Sequence, residues 1–280
     1  MVEPFSSCAA GCPAPSRDPF FALISKQLLD PGAVARLLHA EDDRMGLSPS
    51  DVRLVKLHMC DHLAVLAHRL NLRQRVVATA IAYFRRVYVK KSFAEVDPRL
   101  AAPAALYVAA KAEECTVQAV KLVHRMKSHA SGMCGHGAMG YEVKDVLAME
   151  MRLLQALSFN LIVFHPYRPL STYLEDVSRE LSLSANAKEE FAQMAWSMVN
   201  DSFKTDLSLC HPPFIIALAC IHLVALMRHL PLLPWLEGLR IDMHRVRAVS
   251  TALLDLYEEF SSLTEDQISA AVGKLPMRLP

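Results

Sequence analysis

Pro103-Ala104-Ala105-Leu106-Tyr107-Val108-Ala109-Ala110-Lys111 decides the architecture. Small and aliphatic side chains occupy every face of this run up to its last residue, so a helix built from it is apolar all round and belongs in an interior. Its narrow profile lets four neighbouring helices approach closely. Similar wording returns 110 residues later as Pro213-Phe214-Ile215-Ile216-Ala217-Leu218-Ala219-Cys220, again introduced by proline. Two such segments at a fixed offset mark an internal repeat, with each copy a bundle wrapped around its third helix.

Working outward from the first copy, Ser48-Pro49-Ser50-Asp51 opens a helix whose Val52, Val55, Met59, Leu63, Leu66 and Leu70 share one face. A second helix carries Val76, Val77, Ala80, Ile81, Phe84, Val87 and Tyr88. The third starts near Pro103, a fourth spans about 116–127, and a fifth about 142–158. Four of the nine glycines (Gly132, Gly135, Gly137, Gly140) fall between the last two and mark an exposed loop. Beyond His165-Pro166-Tyr167-Arg168-Pro169 the pattern resumes, with stripes on Leu170, Tyr173, Leu174, Val177 and Leu181, then on Phe191, Met194, Ala195, Met198 and Val199. The proline-led core helix follows, then a turn around Trp235, and last a helix carrying Val246, Val249, Leu253, Leu256 and Phe260. Period-two alternation is too rare for a large sheet. The chain is therefore predicted to be all-α: two tandem five-helix bundles at 48–162 and 163–262. Before them stands an N-terminal extension, 1–47, and after them a C-terminal tail, 263–280. Residues 1–18, rich in Pro and Ser, look like a loose end. Phe20, Leu23, Ile24 and Leu28 give a short amphipathic helix closed by Pro31 and Gly32.

Composition narrows the function classes. The 280 residues carry 30 Lys and Arg against 29 Asp and Glu, a net charge of +1. No bulk excess is left to grip phosphates, so direct nucleic-acid binding would need a local patch. Mean hydropathy is +0.21, but the longest uncharged stretch, 207–227, is interrupted by His211, Pro212, Pro213 and His222 and suits a buried helix better than a membrane span. Seven scattered cysteines without repeated C-x-x-C spacing argue for a reducing compartment. No secretory or transit signal is visible.

One placement breaks the helical pattern. Stepping about 100° per residue puts Val143, Val146, Leu147, Leu153, Leu154 and Leu157 in one sector of the fifth helix, with Glu150 in its middle. Lys111 ends the core helix on the face of Ala104, Tyr107 and Val108. Either charge could be incidental: a lysine in a last turn complements the macrodipole, and the glutamate could be solvated or serve an internal ion pair. Together they suggest an acid and a base side by side on an apolar surface, offering donors and an acceptor to a partner's main chain. Other constellations are weaker. His58 and His62 stand at i, i+4 with no third metal ligand indicated. Cys8-x-x-x-Cys12 and Cys134-x-His136 lack a second pair. The usual nucleophile, zinc-protease and phosphate-loop motifs are absent, which lowers the odds of catalysis without excluding it and leaves a metal-dependent hydrolase on the His58 and His62 pair as a further reading.

At this level of detail the chain resembles the cyclin family. Arg73-Gln74-Arg75-Val76-Val77-Ala78-Thr79-Ala80 with Tyr83-Phe84-Arg85-Arg86-Val87-Tyr88 looks like its second helix. Ala101-Ala102-Pro103 through Lys111-Ala112-Glu113-Glu114 looks like the third. His165-Pro166-Tyr167-Arg168-Pro169-Leu170, the run from Val199-Asn200-Asp201 to Asp206-Leu207, and the run from His211-Pro212-Pro213 to Ile221-His222 resemble the cyclin C branch more than the cell-cycle branch. The likeness covers about residues 50–260. It implies a non-enzymatic, nuclear, activating subunit of a cyclin-dependent kinase, working beside the other subunits of the Mediator kinase module in RNA polymerase II transcription. Lys111, Glu150, Glu114 and Tyr107 would be kinase-binding residues. The extra N-terminal helix around 20–29 would also touch the kinase, though its spelling departs from the family's. Val52-Arg53-Leu54-Val55-Lys56-Leu57 does not spell the substrate-docking motif Met-Arg-Ala-Ile-Leu, so recruitment through that patch is not predicted, and the loop at 131–140 also differs from cyclin C. The same fold occurs in general transcription factors that bind promoter DNA. For that role the cluster Arg73, Arg75, Arg85, Arg86, Lys90 and Lys91 would have to form a basic face rather than a merely solvated one.

Overall fold

The computed structural model describes residues 24, 27–35, 39–129, 140–239 and 241–275. Among them every regular element is helical: α1 (Pro31–Ala35), α2 (Ala40–Arg44), α3 (Pro49–Arg69), α4 (Gln74–Lys90), α5 (Pro98–Ala112), α6 (Ala119–His129), α7 (Val143–Ala156), α8 (Tyr167–Glu180), α9 (Ala185–Ser202), α10 (Leu207–Cys210), α11 (Pro213–Met227), α12 (Leu233–Gly238), α13 (Met243–Ser262) and α14 (Glu265–Gly273). The loose end at 1–18, the expected helix residues Phe20 and Leu23, and most of the glycine-rich loop lie outside the described residues.

The two all-apolar helices are the axes of their bundles. Around α5 pack α3, α4, α6 and α7, and around α11 pack α8, α9 and α13. From Leu100 to Ala110 every residue of α5 is buried, as are Ile215–Ile221 and Leu223–Ala225 of α11. The uncharged stretch is therefore the short α10 followed by the interior helix α11, and no helix among the described residues is long and apolar enough to cross a membrane.

Three boundaries differ from expectation. α5 begins at Pro98, where Asp97 accepts from the Arg99 amide and caps the first turn. Pro103 lies inside the helix instead of opening it. At the other end of the chain Pro31 and Gly32 do not close a helix. They start α1, with the Asp30 carboxylate accepting from the Ala33 amide at 2.8 Å. The expected tail holds α14, opened by a capping box between Thr264 and Gln267. This helix packs back on α3 through buried Ala271, Val272 and Leu275, with Lys274 paired to Asp51 at 2.7 Å.

The bundles are joined by buried polar contacts. Arg85, only 4% exposed, reaches from α4 to the segment after α9, donating to the Phe203 and Lys204 carbonyls and pairing with Asp206 at 2.7 Å. Thr79, His165 and Glu113 form a second link. The Thr79 hydroxyl donates to Glu113 at 2.8 Å and stands 2.8 Å from His165 Nε2, while Arg75 pairs with Glu113 at 2.7 Å. The basic cluster at 73–91 is split: Arg73, Arg75 and Lys90 are exposed, Arg86 and Lys91 are half-buried, and Arg85 is buried in the junction. Arg75, Arg85 and Lys91 are in ion pairs, and Arg86 and Lys90 hydrogen-bond the carbonyls of Ile162 and Ala156.

Candidate partner-binding site

Lys111 stands in the last turn of α5 and Glu150 midway along α7, and the packing of these helices brings the two together. Lys111 Nζ donates to both carboxylate oxygens, at 2.7 and 3.0 Å. It also lies over the Tyr107 ring, 4.2 Å from the centroid, so one cation is held by a carboxylate and an aromatic face. Partial desolvation works against the ammonium. Hydrogen bonding and charge from Glu150 and Tyr107 outweigh it, and Lys111 titrates above the ordinary lysine value. The lysine side chain is 44% exposed and the glutamate 14%. The pair is formed without any partner, yet remains within reach of one.

The apolar sector of α7 divides in two. Val146, Met149, Leu153 and Leu157 are buried against the bundle. Leu147, Glu150, Met151 and Leu154, related by i, i+3, i+4 and i+7, make an outer stripe, of which Leu147 and Met151 are exposed and Leu154 is half-buried. Glu150 therefore lies in an apolar stripe that faces outward rather than in a buried seam. Just past the helix end, Phe159 is 64% exposed and Ile162 also faces out. Ser158 and Phe159 both adopt positive φ, 53° and 57°, a conformation that costs a bulky side chain energy. The segment is held there by the Tyr83 hydroxyl on the Leu161 carbonyl at 2.6 Å, by Lys90 on Ser158, and by Arg86 on the Ile162 carbonyl.

Of the four residues singled out from sequence, Lys111, Glu150 and Tyr107 form one cluster. Glu114 is exposed just beyond α5 with φ 57°, and its amide donates to the Lys111 carbonyl at 3.2 Å. Its neighbour Glu113 is engaged inward by Arg75 and Thr79. Leu147, Met151, Phe159 and Ile162 were not singled out. The usable signal was the width of the α7 apolar sector, which exceeds what one buried face needs; nothing in the spelling indicated the left-handed turn under Phe159. His58 and His62 gain no further ligand, since no group of three or more metal-binding side chains occurs among the described residues.

Two bundles on all-apolar axes, with a lysine and a glutamate paired on an apolar outer face, define an all-α protein of tandem helical bundles. The chain belongs to the cyclin family: residues 42–162 match the family model "Cyclin, N-terminal domain" and 165–237 match "Cyclin C-terminal domain". It is 44% identical to Cyclin-C1-1 of Oryza sativa subsp. japonica, over 90% of this chain and 95% of that protein. It is 31% identical to Cyclin-C of Rattus norvegicus, over 86% and 85% of the respective chains. In three dimensions it is similar to a chain in the structure of the CAK complex from Chaetomium thermophilum bound to ATP-gamma-S, with a TM-score of 0.71, 19% identity, and coverage of 93% of this chain and 88% of that one. At that identity the likeness is one of fold.

Proposed function

We propose that this protein is a non-catalytic regulatory subunit that binds a cyclin-dependent kinase through the outer face of α5 and α7. The observation that carries the proposal is the ion pair of Lys111 and Glu150 at 2.7 Å, set among exposed Leu147 and Met151. Exposed apolar side chains offer area to a partner. The lysine's remaining donors and the glutamate's remaining lone pairs suit main-chain carbonyls and amides, fixing register across the contact. A kinase holds its phosphates for transfer only when a strand lysine meets a glutamate on its mobile regulatory helix. Burying that helix against this face would favour the paired state, because the subunit binds that state better than the other. Tyr107 shapes the lysine, Glu114 borders the same end of α5, and Phe159 and Ile162 extend the face.

Membership of the cyclin family, the likeness to proteins named cyclin C, and the runs beginning at His165, Val199 and His211 support a finer assignment: the kinase of the Mediator module, other subunits of that module as further partners, and a nuclear location. In this proposal, residues 48–162 and 163–262 are the two cyclin boxes, and no cofactor or nucleic acid takes part.

Charge reversal separates docking from internal pairing. Lys111→Glu and Glu150→Lys are each expected to keep full helicity yet weaken kinase association by about 2 kcal/mol, roughly thirtyfold. The double exchange restores an internal ion pair with its polarity inverted against the partner. It is expected to regain stability while binding stays weak by titration calorimetry. Wild-type affinity in a folded single variant or in the double exchange would show that the pair only braces the bundle.

A further inference from the structure

Between Glu114 and Glu142 the sequence contains no acidic residue, and α6 lies in the middle of that interval. Its inner side is Leu122, Val123 and Met126, all buried. Val120, Lys121, His124, Arg125, Lys127 and Ser128 are exposed, and stepping about 100° per residue spreads them over roughly 160° of the helix. Lys121, His124, Arg125 and Ser128 form one i, i+3, i+4, i+7 stripe, with Val120 and Lys127 along its other border. Among the described residues none of the three permanent cations is in an ion pair, whereas Lys91, Lys111, Lys204, Arg228 and Lys274 all are. Lys121 and Arg125 repel each other at i, i+4, and Lys121 stands in the first turn, where the macrodipole disfavours a cation. Lys121 thus works against its own helix in both ways, whereas Lys127 in the last turn is favoured by the macrodipole, and an anion laid over the face relieves the cost at Lys121.

We propose that the outer face of α6 is a docking surface for an acidic peptide, a carboxylate-rich segment of a protein partner carrying an aliphatic residue for Val120. The spacing selects this occupant. A phosphate group needs several donors converging on one point. Here Lys127 and Arg125 lie on opposite borders of the face, which suits carboxylates spaced along a chain. A nucleic acid would find three permanent charges on a protein of net charge +1, too few for more than feeble binding. The surface lies on a different helix from the Lys111–Glu150 pair and does not depend on the role proposed for that pair.

The test uses the full chain and a fluorescein-labelled 14-residue peptide bearing glutamates four apart and interspersed leucines, followed by anisotropy at low salt. A glutamine version of the peptide and a 14-nucleotide single strand serve as comparison probes. The acidic peptide is expected to bind at least tenfold more tightly than the glutamine version, and Lys121→Glu/Arg125→Glu/Lys127→Glu is expected to abolish that preference. Since these side chains face solvent, the triple variant should keep its helicity; should it unfold, Lys121→Gln/Arg125→Gln/Lys127→Gln is read instead, with at least a fivefold loss expected. Equal binding of both peptides, undiminished binding by the folded variant, or tighter binding of the oligonucleotide than of the acidic peptide would each overturn the proposal.

Discussion

His165 shows what a single side chain can set. The Thr79 hydroxyl donates its one proton to Glu113, so toward His165 its oxygen can only accept and His165 must donate through Nε2. Nδ1 is then the bare ring nitrogen, buried without a hydrogen-bond partner. Burial, aided by the cations of Arg75 and Arg86, pushes the imidazole down to about 4. An unfolded histidine titrates near 6.5, so below that pH the unfolded chain takes up a proton that the folded chain refuses. Stability from this residue is therefore complete above pH 6.5 and is lost as pH falls toward 4, with about 2 kcal/mol gone between pH 7 and pH 5. His211 and His222 are also held below their usual range by burial and slope the same way. The measurement is accordingly a difference: urea unfolding of wild type and His165→Gln at pH 7, 6 and 5. The variant is expected to lose the His165 share of the slope, and parallel curves would place the buried proton elsewhere.

At the scale of the helix, α7 carries two faces on one apolar pattern. Periodicity alone identified the helix and made Glu150 conspicuous, because a charge inside an apolar sector is legible as a violation. It does not say which half of the sector faces inward, since that depends on where α5 lies, and Pro103 signals a start for α5 five residues later than the real one at Pro98. The Asp97-Pro98 cap was the missed signal. Phe159 was less legible still, as its exposure follows from two consecutive left-handed residues that no propensity demands. Glycine adopts that conformation freely, so Phe159→Gly is expected to raise stability by about 1 kcal/mol while weakening kinase association through lost apolar contact. Opposite signs in a thermal melt and a binding titration would mark the residue as kept for the partner. A loss in both would make Phe159 a packing residue of the bundle.

At the scale of the molecule, the repeat and its two axes were readable from small-residue runs, but the joint between the bundles was not, because its parts are scattered along the sequence. Arg85 was counted with a basic cluster, yet its guanidinium fills the junction. Desolvation opposes the Asp206 carboxylate, and Arg85 and then Lys56 more than compensate, holding it below the usual carboxylate range. Lys56 receives less help: burial lowers it, the charge of Asp206 raises it, and Arg85 lowers it again. Removing the arginine would leave Asp206 and the Phe203 and Lys204 carbonyls without their donor, with Lys56 as the nearby cation that remains. Arg85→Ala is expected to cost about 3 kcal/mol, the low end for breaking a buried pair because that lysine persists. Arg85→Lys is expected to recover little, since one ammonium cannot serve three acceptors in the geometry of a planar fork. Because the lost contacts tie one bundle to the other, the alanine variant should also unfold in two steps, with the helix signal and the fluorescence of Trp196 and Trp235, both in the second bundle, separating on the denaturant axis. A single coincident transition at reduced stability would mean that the remaining junction, with α14 folded back on α3, still couples the bundles without Arg85.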